Sequence, residues 1–397
     1  MKKMAIISPG YLPLPAIKGG AVETLIDLLI NSEKITEKFD IDVYSKYDSE
    51  INEESKNKDV NYLYINTDSK FNKVFKAFRY LINKYGNRYI GNDFINELIK
   101  KYGKNLNEYD YVIIENKPEY GLILRPYIKG KLIFHSHNDF LNEKTKYANR
   151  IVKCFDKIFC LSKYICSRIE KIDPKSKEKV KLLYNGVDTE KFSGDNNKDI
   201  IDLRKKFNIK ENDVVFLYTG RLVKEKGVLE LINTFNKVTN KNYYLLIVGS
   251  VGYGKNFKNK FTKKIYDISK NNGNIIFTGF IPYEQMPSIY SMADYGIIPS
   301  VWEEPFALTV IEHLASGHPI IITNSGAMPE LVSKDVAITI DKLYFEKEML
   351  EAINNINTYK FCEKKKLIEY SKKFDKENYI DKFISLIDEG ENYEFNK

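Results

Sequence analysis

The chain has 397 residues, 43% of them hydrophobic and 29% charged, which is long enough for two packed cores and too apolar for a disordered chain. Its net charge is +8, and no stretch approaches the ~20 apolar residues that a membrane-spanning helix needs. The apolar run after Lys2 and Lys3 ends at Pro9, too short for a secretion signal, and the four cysteines lack a Cys-x-x-Cys pair, so reduced thiols in a cytoplasmic protein are expected.

From the amino terminus, short β-rich runs alternate with helical patterns: residues 4–8, 41–45, 111–115, 131–135 and 157–161, then 214–218, 243–248, 274–278, 295–298 and 320–323. That alternation predicts an α/β chain of parallel sheets covered by helices. The Gly-, Asn-, Asp- and Lys-rich stretch from Asp188 to Asp202 is the best linker candidate, and two doubly wound domains are expected on either side of it, with ligands at the carboxyl ends of their strands.

The positive charge is confined to the first half: residues 1–198 hold 35 Lys and Arg against 27 Asp and Glu, and residues 199–397 hold 27 of each. Within it, residues 70–104 carry nine basic side chains and only Asp93 and Glu97 as acids, with Phe71, Val74, Phe75, Phe78, Leu81, Ile82 and Tyr85 at helical spacing. Two readings stand. Such a helix can lie on an anionic membrane surface, or it can pack its apolar stripe on the sheet with solvated lysines outside. No recognisable nucleic-acid module accompanies the charge, so nucleic acid is not expected as a partner.

The densest motif is Trp302-Glu303-Glu304-Pro305-Phe306-Ala307-Leu308-Thr309-Val310-Ile311-Glu312. Pro305 suits the first turn of a helix, whose unpaired amides at Phe306, Ala307 and Leu308 would then attract an anion. Glu312 would lie about two turns beyond Glu304 on nearly the same face, so both carboxylates could reach one elongated ligand. Around this motif stand Gly220-Arg221-Leu222 with Lys226-Gly227, the strand end at Gly279, Ala293-Asp294, Pro299-Ser300 and Gly317-His318-Pro319; upstream stand Gly19-Gly20 after the first strand and Tyr184-Asn185-Gly186-Val187-Asp188.

This set resembles the retaining, nucleotide-sugar-dependent glycosyltransferases of the glycogen-synthase-like family four, the group 1 glycosyl transferases, which have the GT-B architecture of two Rossmann-like domains facing a central cleft. The resemblance covers most of the chain, leaving about residues 46–108 and the acidic tail without a motif. It implies an acceptor-side domain over residues 1–190, a nucleotide-sugar domain over 200–372, and a final helix, about 374–390, that packs back on the first domain. It also implies a saccharide or lipid-linked acceptor, a UDP-sugar as donor, and a role in bacterial surface polysaccharide synthesis, with possible contact at the inner membrane face through residues 70–104.

The same resemblance distributes the roles. Arg221 and Lys226 would clamp the diphosphate of the donor, a forked guanidinium and an ammonium suiting phosphate oxygens. Gly19 and Gly20 would let backbone amides approach the same phosphates. Glu312 would accept from the ribose hydroxyls and Glu304 from the donor sugar, with the Phe306, Ala307 and Leu308 backbone holding phosphate or sugar oxygens and the Ile281 backbone meeting the base. Most relatives have Gly where this chain has Ala307. His135 and His137 end the strand of residues 131–135, and the following Asn138-Asp139 makes His137 the match for the family's histidine beside the reaction centre. In the front-face route usually invoked for retaining members, a leaving-phosphate oxygen takes the acceptor proton, so Glu304 is not read as a nucleophile.

Two sequences mimic other chemistry. Asp40-Ile41-Asp42 spells the Asp-x-Asp of metal-dependent transferases but leads into a strand, and is read as a turn and strand start; no metal and no cofactor are expected. Gly249-Ser250-Val251-Gly252-Tyr253-Gly254 has the wrong glycine order for a dinucleotide loop and is read as a donor-side loop. A nucleotide-sugar 2-epimerase of the same fold and a silent coat or scaffold protein are the alternative functions.

Overall fold

The computed structural model describes residues 1–68, 70–194, 197–251 and 259–389, with the side chains of 70–74 and 197–200 left out. Two compact units emerge: Met1–Tyr184 together with the chain from Tyr379 on, and Asn185–Asn378. Gly252, Tyr253 and Gly254 of the second glycine-rich loop, and the Phe71 and Val74 side chains, lie outside the described residues.

In the first unit, β1 (Lys2–Ile7), β2 (Phe39–Lys46), β3 (Val60–Ile65), β4 (Tyr111–Glu115), β5 (Lys131–Ser136), β6 (Lys157–Cys160) and β7 (Val180–Leu182) form one parallel sheet in the order β3-β2-β1-β4-β5-β6-β7. Its central strands are apolar on both faces, as a doubly covered parallel sheet requires: every residue of β4 is buried. The helix Ala21–Ile30 sends Leu25, Ile26, Leu29 and Ile30 into the core on one face. The helix Lys376–Asp388 adds Tyr379, Ile380, Phe383, Leu386 and Ile387 to that same core, at about 1.5–3 kcal/mol for each large apolar side chain removed from water. From Tyr379 on, this helix is therefore a structural part of this unit.

The second unit repeats the plan with β8 (Val214–Thr219), β9 (Tyr243–Val248), β10 (Ile275–Gly279), β11 (Tyr295–Ile298), β12 (Ile320–Thr323) and β13 (Ala337–Ile340), all parallel, in the order β10-β9-β8-β11-β12-β13. Strand order reverses between β1 and β4 in one sheet and between β8 and β11 in the other. At such a reversal the flanking connections leave in opposite directions, opening a crevice at the carboxyl ends. Both sheets are doubly wound, as the sequence pattern predicts.

Three strands escape the sequence pattern: β3, β7 and β13, each at a sheet edge. An edge strand has one neighbour and is only partly covered, so its apolar signal is weak; β3 reads Val-Asn-Tyr-Leu-Tyr-Ile and β7 spans three residues. The expected linker also differs from what is found. Asp188 caps a short helix, Thr189–Phe192, and the helix Asn197–Lys206 follows, while Val187 bridges Asp375 within the second unit. Polar composition misled here because Phe192 is buried and Asp188 is a capping residue.

A helix does form over Lys70–Tyr85, but among its described side chains the apolar stripe is only partly covered: Ile82 is half-buried, whereas Phe78, Leu81 and Tyr85 are more than half exposed. No helix of the described residues is long and apolar enough to cross a membrane.

Candidate functional site

In the second unit three glycines end three neighbouring strands. Gly220 follows β8, Gly249 follows β9 and Gly279 ends β10, all at positive φ, with Gly249 donating to the Gly279 carbonyl at 2.9 Å. A Cβ on Gly249 would stand 1.9 Å from the Gly220 carbonyl oxygen, so these backbones touch where any side chain would force them apart. Beyond them the chain opens into the loops that carry the predicted residues. Ile281 lies two residues past β10, half-buried.

Arg221 is exposed and, among the described residues, has no ion-pair partner. Lys226 sits in a single 3-10 turn, Lys224–Lys226, ahead of the helix Val228–Phe235. Gly227 joins the two at φ 68, and a Cβ there would meet the Pro299 carbonyl oxygen at 1.9 Å. That close approach brings Lys226 against the loop after β11: its Nζ lies 2.6 Å from Glu304 Oε1, and Ser300 Oγ donates to the same oxygen at 2.5 Å. Glu304 is buried, 1% exposed, and an ammonium plus a hydroxyl hold its charge there.

The geometry of the 302–312 motif departs from the sequence expectation. Pro305 lies outside the helix, which begins at Leu308 with Ala307 as its cap and no side-chain capping bond. The loop before it is held by contacts distant in sequence: Ala327 N–H donates to the Glu304 carbonyl, and Gly326 packs so close that a Cβ would meet that carbonyl oxygen at 2.2 Å. Tertiary contacts thus outweigh the preference of proline for a first turn. The Ala307 and Leu308 amides still open the helix Leu308–Ala315 and donate to no other described residue. Glu304 and Glu312 consequently do not share a helical face.

Glu312 has separate company. Its Oε2 accepts from Tyr290 Oη at 2.5 Å, and Tyr283 also donates to it. Tyr290 and Thr219 share a hydrogen bond of 2.9 Å, which ties the carboxylate to the end of β8. Burial pushes the Glu312 pKa above the usual carboxylate range, more than the two phenol hydrogen bonds lower it. Tyr283, Tyr290 and Thr219 carry no motif of their own and were not legible from spacing.

In the first unit Gly19 and Gly20 have φ of 71 and 107, and Gly20 caps the helix Ala21–Ile30. A Cβ at Gly20 would meet Glu23 Oε2 at 2.4 Å. Positive φ is what favours glycine at both positions. His137, just past β5, is buried and its Nε2 stands 2.6 Å from Glu115 Oε2. His135 Nδ1 lies 3.3 Å from Oε1 and 3.1 Å from Oε2 of the same carboxylate. Burial would raise the pKa of Glu115, yet the two imidazoles outweigh it and hold it at about 2. Sequence reasoning missed Glu115, although its register partner in the sheet is His135, which puts both side chains on one face.

The other two of the four histidines are different in kind. His313 and His318 are fully in the second unit's interior, and burial keeps both neutral, the His318 pKa falling to about 3. Gly296 on β11 leaves room for the His313 ring, which a Cβ would meet at 2.5 Å. These are packing residues. Among the described residues, the single group of donors close enough to hold a metal ion is Glu115, His135 and His137, whose ligand atoms lie within 4.8 Å of one another. Their spacing is that of hydrogen bonds between the three groups, as the 2.6 Å contact shows.

Residues 199–374 match the family Glycosyl transferases group 1. The chain is 23% identical over 368 residues to the putative glycosyltransferase YtcC of Bacillus subtilis, covering 90% of this chain and 83% of that protein. It is 29% identical over 265 residues to the lipopolysaccharide 1,2-N-acetylglucosaminetransferase of Salmonella typhimurium, covering 64% and 66%. Among solved structures, Anabaena HepE in complex with UDP-glucose aligns with a TM-score of 0.72 at 15% identity, over 98% of this chain and 99% of that one. The architecture is the two-domain, Rossmann-like GT-B fold, and the family and relatives support a glycosyltransferase role.

Proposed function

We infer that this chain is a group 1 glycosyltransferase on the GT-B fold, a retaining enzyme that moves a hexose or N-acetylhexosamine from a UDP-sugar to a saccharide or lipid-linked acceptor in bacterial surface polysaccharide synthesis. The observation that carries the reading is the gathering, at the carboxyl ends of β8, β10 and β11, of Arg221, Lys226, two buried carboxylates and the open Ala307 and Leu308 amides. Negative charge develops on the leaving diphosphate, and fixed cations beside it lower that barrier. Arg221 and Lys226 supply the charge, so this reading needs no metal. Glu304 then accepts from donor-sugar hydroxyls, Glu312 from the ribose, the Phe306, Ala307 and Leu308 backbone holds phosphate or sugar oxygens, and the Ile281 backbone meets the base.

The first unit serves the acceptor in this reading. Gly19 and Gly20 approach the phosphates, and His137 orients a sugar hydroxyl near the reacting carbon. Tyr11 and Phe140 expose their rings in loops after β1 and β5, with the Lys117 Nζ between them, 4.5 Å from one ring centre and 5.9 Å from the other and paired with Glu119, a surface suited to stacking on a sugar ring. The exposed part of the stripe, Phe78, Leu81 and Tyr85, favours contact with an anionic membrane over packing on the sheet. Sedimentation with phosphatidylglycerol vesicles, lost at high salt and in Phe78→Ser/Leu81→Ser, checks that contact.

The deciding test is thermal stabilisation by UDP-, GDP-, ADP- and TDP-sugars with EDTA present. A donor at 100 times its Kd adds about 2.7 kcal/mol of stability. A shift selective for UDP-sugars is expected, and the transferred sugar should keep its anomeric configuration by NMR. No shift with any donor would overturn the reading in favour of a silent scaffold, and a C2 epimer formed without acceptor would favour the epimerase.

A further inference from the structure

Among the described residues, Glu115 is the most deeply buried carboxylate of the first unit, 0% exposed, and no sequence motif accounts for it. A buried ionised carboxylate costs several kcal/mol unless it is paired and hydrogen-bonded, so its persistence needs partners, and both partners here are histidines. An ionised carboxylate can only accept hydrogen bonds. Each ring nitrogen touching it must therefore carry a hydrogen, which places one on His137 Nε2 and one on His135 Nδ1.

The carboxylate itself cannot turn away. His135 contacts both of its oxygens, and the His135 ring is wedged among Phe159 and the Tyr379 and Phe383 rings of the carboxyl-terminal helix, with centroids 6.2–6.3 Å away. The backbone is gripped as well. Asn116, in the left-handed region at φ 56, accepts from the His137 N–H through Oδ1 at 3.2 Å and donates its own N–H to the His135 carbonyl at 2.8 Å. Asn tolerates that conformation better than other non-glycine residues, and here it lets one residue bond to both His135 and His137.

We propose that Glu115 is the positioning residue for His137: it fixes the imidazole in one ring orientation and in the Nε2–H tautomer, so that the same ring edge always meets the sugar. Glu115 itself stays in the core and touches no substrate. This rests on the role given to His137 above. The arrangement reuses the general logic by which a buried carboxylate sets the tautomer of a working histidine. His135 acts one step further back, as the clamp that stops Glu115 from rotating.

The test combines histidine 15N NMR with kinetics on Glu115→Gln and Glu115→Leu. With four histidines, His137→Asn and His135→Asn assign the signals by their loss. Wild type should show His137 protonated at Nε2 across neutral pH. In Glu115→Leu that signature should be lost and UDP release from UDP-glucose or UDP-N-acetylglucosamine should fall on the order of 100-fold in kcat, with KM nearly unchanged. Glu115→Gln, whose amide oxygen can still accept, should restore part of both, and it stands in should the leucine variant not fold. An Nδ1–H tautomer in wild type overturns the proposal, as does unchanged kcat in a folded Glu115→Leu. Stoichiometric zinc in the purified protein also overturns it, because the three groups would then be ligands. Wild type without turnover of any UDP-sugar sinks the glycosyltransfer reading instead, while the tautomer measurement still decides the ring position.

Discussion

Glu115 and Glu312 are the same residue at nearly the same burial, one near the end of β4 and the other in the helix after β11, and their pKa values move in opposite directions. Both lose hydration, which by itself raises a carboxylate pKa. Glu312 gains two phenol hydroxyls, which bear no charge, and only the weaker field of Lys191, so desolvation wins. Glu115 gains two imidazoles that can become cations, and their field reverses the sign. Glu304, also buried, is held instead by an ion pair with the Lys226 ammonium. Burial sets the size of the problem in each case, and the partner's chemistry decides what the carboxylate is fit for.

The largest effect should come from the backbone that brings Lys226 to Glu304. Gly227→Ala combines a left-handed residue with a clash against the Pro299 carbonyl, and should cost about 3 kcal/mol or more by urea denaturation. A loss below about 1 kcal/mol would mean that the two loops are not held together as described. Next, Lys226→Met leaves Glu304 buried without its ammonium and should cost about 2–3 kcal/mol, discounted because the lysine side chain is 25% exposed. Adding Glu304→Gln should recover most of that stability and none of the UDP affinity. Recovery of both would separate the pair from the donor site.

Acid sharpens the comparison directly. Glu115 has a folded pKa below its unfolded value, so its contribution is present above about pH 4.5 and is lost as pH falls toward 2. Between pH 6 and 3 wild type should lose about 2 kcal/mol that Glu115→Gln does not lose, as read from denaturation at each pH. Glu312 has a raised pKa, so its contribution is present below the unfolded value and disappears as pH rises through the folded one. Glu312→Gln should therefore gain relative stability at neutral pH, the opposite sign to Glu115→Gln.

Smaller still, Tyr290→Phe removes one of the two phenols from Glu312 and should cost about 1–2 kcal/mol, with weaker UDP binding by calorimetry. Last, Arg221→Ala should change stability by less than about 0.5 kcal/mol, because the side chain is exposed and unpaired among the described residues. Its donor affinity should nevertheless fall roughly 10- to 100-fold, the worth of a charge-assisted contact. Equal losses of stability and affinity would make Arg221 a structural residue.

The amino-acid sequence by itself determined the doubly wound architecture, because parallel strands covered on both faces need apolar runs that composition cannot hide, as in β4 and β8. It also singled out Gly20 and Gly227, both at positive φ, and at Gly227 the Pro299 carbonyl leaves no room for a side chain. Edge strands β3, β7 and β13 were not legible, lacking a second neighbour to demand burial. Only the tertiary structure decided the electrostatics. Glu304 and Glu312 are eight positions apart in one motif, yet long-range contacts from Lys226, Gly326 and Tyr290 give them unlike environments and start the helix three residues past Pro305. Glu115 and His137 are 22 positions apart and meet because β4 and β5 are neighbours in register. Spacing along a chain reports periodic local structure, whereas a buried charge is governed by whatever the fold brings within hydrogen-bond reach.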